Sequence, residues 1–175
     1  MNLKAAKLVL LPIVLMAIIG CNNPLNVKPY KMAASSMQPT INKGDRIIAD
    51  FMYYKDNIPK RGDIIVFRYP KDPEKHWVKR ILALGGETIE IKNGSVFIDG
   101  KAIEQDNIKN ISYTNAGEYG AIGKTILVPE NNYFVLGDNS TRSLDSRYWG
   151  FLPKENIIAK VTKRYWPINR IGSIE

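Results

Sequence analysis

The chain is poor in the residues that build metal and redox sites: its 175 residues include one cysteine, Cys21, and one histidine, His76. One thiol can make no disulfide within the chain. Neither a zinc site built on several thiolates nor a multi-histidine metal centre is open to it. No metal site is expected, and nothing in the sequence calls for a cofactor. Also missing are a helix-turn-helix pattern, a zinc-finger spacing and an RNA-binding aromatic motif. That absence bears on the charge, 25 Lys+Arg against 17 Asp+Glu for a net +8. The positive residues are scattered, often beside aromatics, which suits a basic surface facing a membrane better than one facing nucleic acid; most individual lysines read as solvated. What is present in ordinary amount is apolar side chain, 45% of the residues, enough for a core without covalent staples.

The first 21 residues read as a membrane-targeting segment. Lys4 and Lys7 form a positive start, and Leu8 to Gly20 is an uncharged apolar run broken only by Pro12. A spanning helix needs about 20 apolar residues, so the shorter run fits a signal-peptide core better. It ends in Ile18-Ile19-Gly20-Cys21, which resembles a bacterial lipobox and makes Cys21 a candidate for lipidation. The competing expectation is a retained, short or tilted anchor that includes Ala5 and Ala6. Either one puts the rest of the chain on the extracytoplasmic side of a bacterial cell membrane. Residues 22–29, polar and proline-marked, are expected to be a tether, leaving 30–175 as the main domain.

Beyond Tyr30 the pattern is β. Ile47-Ile48-Ala49, Ile64-Ile65-Val66-Phe67 and Tyr133-Phe134-Val135-Leu136 are short apolar runs bounded by turn residues. Asn93-Gly94 and Asp99-Gly100 sit between such runs and signal hairpins, because both turn residues must reach positive φ. Ile157 to Val161 alternates well enough for a closing strand. No long amphipathic helix follows the N-terminus. The expected fold is mostly β, a small closed or partly closed β-domain, with Glu104 to Lys124 as a mobile loop or short hairpin.

Taken alone, Ser36 in Ser35-Ser36-Met37-Gln38-Pro39-Thr40 is an ordinary loop serine. The run His76-Trp77-Val78-Lys79-Arg80-Ile81 says more. Read as a strand, it puts Trp77, Lys79 and Ile81 on one face. A lysine there either snorkels or is buried. Burial penalises the ammonium and lowers its pKa from about 10.4. A fall of about three amounts to about 4 kcal/mol, tolerable where function requires it. A neutral lysine of this kind can serve as general base for a hydroxyl nucleophile.

Four segments in order resemble the type I signal peptidases. Ser36-Met37-Gln38-Pro39-Thr40 is similar to their nucleophile motif, and Gly44-Asp45-Arg46 with Arg61-Gly62-Asp63-Ile64 to the segments that follow it. Lys79-Arg80 with Ala83-Leu84-Gly85-Gly86-Glu87 is similar to the general-base segment. Gly137-Asp138-Asn139-Ser140-Thr141-Arg142-Ser143-Leu144-Asp145-Ser146-Arg147 is similar to the last signature. The resemblance implies a membrane-bound serine endopeptidase with Ser36 as nucleophile and Lys79 as base. It also implies that Ser143 orients the lysine, that Asp145 and Arg147 form a supporting ion pair, and that Met37 and Ala34 belong to the substrate pocket. Exported preproteins with small residues before the cleaved bond are the implied partners, together with a membrane surface. Nucleic acid is not expected as a partner, and the protein is expected to be monomeric.

Two positions depart from the family pattern. Gly85-Gly86 replaces a more usual glycine-proline-glycine turn. Ala34 stands where many members have a serine or threonine that completes the oxyanion hole, and loss of one such donor lowers the rate by about 10²–10³. His76 lies three residues before the base position and on the other strand face, so it is expected at the solvent edge. Two other readings stand beside the main one: a related Ser–Lys protease that matures a pilin or other dedicated substrate, and a non-catalytic lipoprotein β-domain.

Overall fold

Short apolar runs separated by turn residues fold here as strands. The computed structural model describes residues 26–174; the targeting segment 1–21, with Cys21, lies outside them. In chain order the first strands are β1 (Val27–Lys31), β2 (Arg46–Asp50), β3 (Ile64–Tyr69), β4 (Asp72–Leu84), β5 (Thr88–Lys92) and β6 (Ser95–Ile98). They are followed by β7 (Lys101–Ala102), β8 (Ile126–Leu127), β9 (Asn132–Leu136), β10 (Leu152–Pro153), β11 (Ile157–Trp166) and β12 (Gly172–Ser173). Two four-residue helices interrupt them, α1 (Tyr53–Asp56) and α2 (Ser146–Trp149). Residues 27–29, expected as tether, already belong to β1, which pairs with β2 from Val27↔Asp50 to Lys31↔Arg46.

The larger sheet runs β1-β2-β11-β3-β4-β9-β10, with β12 on β11, and the smaller one runs β7-β6-β5-β8. The mostly β expectation holds, but the expected closure does not. β1 and β10 stand at opposite ends of the larger sheet, and no pairing joins them among the described residues. A two-residue strand such as β10 offers too few ladder bonds to carry a seam. Both hairpin signals form as read. Asn93 and Gly94 reach φ of 51° and 80°, and Asp99 and Gly100 reach 49° and 76°. Each pair joins strands directly in register, Lys92↔Ser95 and Ile98↔Lys101. Residues 104–124 are irregular apart from an Ala116–Gly120 bridge, yet Ile108 and Tyr113 are buried against the smaller sheet.

The placement of β3 and β4 matters most for the site. In β3, Ile64 and Val66 enter one core cluster while Ile65 and Phe67 enter another, so the strand is covered on both faces. β4 is exposed over its first residues and then buried from Val78 to Ala83. Its buried half pairs with β3 on one side, Ile65↔Lys79, and with β9 on the other, Arg80↔Leu136. The two cations of Lys79-Arg80 therefore lie in the interior, each obliged to find a partner there.

Candidate active site

Ser36 sits in the turn between β1 and β2. That turn is closed by backbone bonds from Gln38 N–H to the Ser35 carbonyl (3.2 Å) and from Ile41 N–H to the Met37 carbonyl (2.8 Å). The segment after β9 holds it from outside: Asn139 N–H donates to the Ser36 carbonyl at 2.9 Å, and Asn139 Nδ2 to the Ser35 carbonyl at 3.1 Å. The fixed turn presents the Ser36 hydroxyl to β4, where Lys79 Nζ donates to Ser36 Oγ at 2.9 Å and to the Val78 carbonyl at 3.2 Å. Lys79 is 4% exposed. Burial pushes its pKa down to about 8; the carboxylates of Asp145 and Asp138 pull the other way, and Arg147 adds to the lowering. Its amine lies 5.6 Å from the Trp77 ring centre, which agrees with the shared strand face.

The structure brings the other expected residues close to this pair, with two differences. Ser143 is buried, but its Oγ has no hydrogen-bond partner among the described residues, and the lysine bonds go to Ser36 and Val78 instead. Ser143 meets the Ser36 turn at Gly137, where an added Cβ would overlap both Ser143 Oγ and the Ser36 carbonyl. Only glycine permits that approach. Met37, expected in the pocket wall, is fully buried in a core cluster with Met32, Ile41 and Ile47 and does not line the cavity. The packing of the turn against β2 and β3 uses its side chain as core.

Asp145 and Arg147 form a two-point ion pair, Nε to Oδ1 and Nη2 to Oδ2, both at 2.8 Å and both wholly buried. Asp145 also caps α2 and accepts from Gly137 N–H at 3.1 Å. Arg147 donates to Ser140 Oγ at 2.6 Å and to the Ser140 carbonyl at 2.7 Å. The pair thus braces the 137–147 segment from the inside. A second buried pair joins Arg80 to Asp138, a pairing that the sequence does not reveal although each residue lies in a family-like segment. Arg80 Nη1 also reaches the Gly62 carbonyl at 2.9 Å, and Thr40 Oγ1 donates to Asp138 at 2.6 Å. The one available signal was an arginine next to a lysine inside the apolar second half of β4.

A cavity of about 460 Å³ opens over the serine, between residues 30–34 and residues 76–79, with Arg142 and Leu144 completing its wall. Ala34 lines it and is exposed, and so is His76, at the solvent edge as expected. The Ser36 N–H makes no hydrogen bond among the described residues and is available as a donor. Among the described residues no group of side chains suits a metal ion. A hydroxyl bonded to a buried, easily neutralised amine, beside a cleft with a free backbone donor, is what serine hydrolysis by a lysine base requires.

The family model "Signal peptidase, peptidase S26" matches residues 3–166. A probable signal peptidase I-2 of Synechocystis is 37% identical over 145 residues, covering 79% of this chain and 63% of the relative. The signal peptidase I of Leptolyngbya laminosa is 36% identical over 149 residues, covering 81% and 70%. Signal peptidase IB of Staphylococcus aureus is 30% identical over 154 residues, covering 82% and 80%. The crystal structure of a signal peptidase I from Enterococcus faecalis shares 35% identity at a TM-score of 0.50, covering 61% of this chain and 98% of that one. The chain belongs to the signal peptidase family, peptidase S26. It spans just under two thirds of the length of the Synechocystis relative.

Proposed function

We propose that this chain removes signal peptides from exported preproteins, with Ser36 as nucleophile and Lys79 as general base. The observation that carries the mechanism is the 2.9 Å contact between Ser36 Oγ and a lysine held near pKa 8 by burial. The precursor lies extended in the cleft, adding a strand between residues 30–34 and 76–79. Neutral Lys79 takes the Ser36 proton as Oγ attacks the scissile carbonyl. The Ser36 N–H stabilises the oxyanion, and the lysine ammonium then returns the proton to the departing amine. Water, deprotonated by the same lysine, releases the acyl group and regenerates Ser36. Ser143, whose buried hydroxyl is unsatisfied, is assigned to orient the amine; Asp145 and Arg147 hold the segment that carries it.

Among the described residues no helix is long and apolar enough to cross a membrane. We assign membrane attachment to the N-terminal segment, through lipid on Cys21 or through a retained apolar anchor. Several acyl chains on one cysteine suffice for stable attachment where one does not. Intact-mass analysis of membrane-extracted protein distinguishes them: a mature N-terminus at Cys21 with acyl mass supports the lipid, and an unmodified chain retaining Met1 overturns it. The catalytic reading is tested with a synthetic precursor carrying an Ala-X-Ala site. Ser36→Ala, Lys79→Ala and Lys79→Arg each abolish cleavage, the last because guanidinium is no base at working pH. Robust cleavage by either alanine variant overturns the mechanism.

A further inference from the structure

The nucleophile turn is held at both ends, at Ser35–Ser36 by Asn139 and at Pro39–Thr40 by two arginines. At the other end, the carbonyls of Pro39 and Thr40 receive guanidinium groups from beyond the middle of β11. Arg164 Nη1 donates to the Thr40 carbonyl at 2.8 Å. Arg170, in the 3-10 turn Ile168–Arg170 that follows β11, donates from Nη2 to the Pro39 carbonyl at 2.9 Å and to the Thr40 carbonyl at 3.4 Å. Its Nη1 reaches both Asp45 carboxylate oxygens, at 3.2 and 3.0 Å. Asp45 Oδ2 in turn accepts from Asn42 N–H at 2.9 Å, which closes the far side of the turn. Arg164 Nε donates to the Arg170 carbonyl, locking the two arginines together.

This network acts on backbone carbonyls, which a mutation within the turn cannot remove. It also needs the shape of a guanidinium: one planar fork serves two carbonyls and a carboxylate at once, which a lysine cannot do. We infer that Arg170, supported by Arg164 and Asp45, is a positioning residue for the Ser36–Lys79 reaction proposed above, and the inference rests on that reading. It fixes the Pro39–Thr40 end of the turn, so that Ser36 Oγ stays within reach of Lys79. Most of the cleft wall is supported outside this network, and only Met32 shares Asp45 with it, through the Asp45 backbone. Residues 30–31 are held by the β1–β2 ladder, Met32 by backbone bonds with Asp45 and Gly44, and residues 76–79 by β3. Arg170 is not among the charges that set the Lys79 pKa.

The test uses Arg170→Ala and Arg170→Lys in the full chain, with active sites counted by a serine-directed covalent inhibitor. Turnover of the Ala-X-Ala precursor is measured across pH. In Arg170→Ala, kcat per active site falls by about tenfold to a hundredfold, the scale expected for a small misplacement of a reacting group. KM stays within about twofold, the ascending pH limb does not move, and added guanidinium restores part of the rate. Arg170→Lys is intermediate. A folded Arg170→Ala with kcat within twofold of wild type overturns the inference. So does a loss confined to KM, or a displaced pH limb. If the alanine variant fails to fold, wild-type kcat in Arg170→Lys overturns it equally. Failure of the unaltered protein to cleave the precursor would instead sink the Ser36–Lys79 reading.

Discussion

Arg80 and Asp138 face each other through two hydrogen bonds, Nε to Oδ1 at 2.9 Å and Nη2 to Oδ2 at 2.8 Å, with side-chain exposures of 1% and 0%. Arg80 follows Lys79 in β4, Asp138 precedes Asn139, and the same carboxylate accepts the Thr40 hydroxyl. One buried pair thus ties the Lys79 strand, the segment after β9 and the Ser36 turn.

Breaking that pair on one side leaves a buried charge without its counter-charge. Asp138→Ala is expected to lower stability by about 3–5 kcal/mol and to reduce cleavage with it. Urea unfolding of the two proteins checks this. A loss below about 1 kcal/mol would mean that the Arg80 guanidinium finds water or another partner.

On the proposed mechanism, a Lys79 pKa lowered by burial to about 8 sets the pH dependence of cleavage. The neutral amine is the active form, so kcat/KM rises with pH through about 8 and levels off above it. His76→Ala is expected to leave that limb in place, because His76 is exposed and makes no contact with Ser36 among the described hydrogen bonds. Loss of the limb in that variant would make histidine the base.

The same depressed pKa bears on stability. Its folded value, about 8, lies below the ordinary 10.5. Below about pH 8 the lysine is charged in both states, and the folded state carries the whole desolvation penalty, about 3 kcal/mol. Between the two values the unfolded chain holds a proton that the folded chain has lost, so the penalty fades as pH rises. Lys79→Met is therefore expected to be inactive yet more stable at pH 7 by about 1–3 kcal/mol. Thermal melts at pH 7 and pH 10 should show the advantage shrinking; equal stability at pH 7 counts against a strained lysine.

Ala34 lines the cleft beside Ser36 and carries no hydroxyl. On the family resemblance, Ala34→Ser restores a second oxyanion donor and is expected to raise kcat about tenfold or more with little change in KM. Steady-state kinetics on the Ala-X-Ala precursor decide it. An unchanged kcat would mean that the Ser36 N–H suffices or that the new hydroxyl does not reach the oxyanion.

Much of the molecule was legible residue by residue. The Asn93-Gly94 and Asp99-Gly100 turns followed from local backbone preference, which needs no tertiary context. Alternation from His76 to Ile81 put Lys79 on one face with Trp77 and Ile81, and the ordered segments named the serine and the family. The short strands β8, β10 and β12 were not legible, because two residues carry no periodicity. Nor was the start of β1, whose polar residues pair with β2 without needing a buried face.

The sequence by itself determined the chemistry on offer: Ser36 in a turn, Lys79 in the apolar half of a strand, few metal-ligating residues, and a family order of segments. Those are properties of residue type and spacing along the chain. Only the tertiary structure decided that the larger sheet stays open, that Met37 is core rather than pocket wall, and that Arg80 meets Asp138 58 residues away. It alone brought Arg164 and Arg170 back to the nucleophile turn, about 130 residues earlier. The reason is that a buried charge must be paired, but its partner can come from any part of the chain that the sheet order brings within 3 Å.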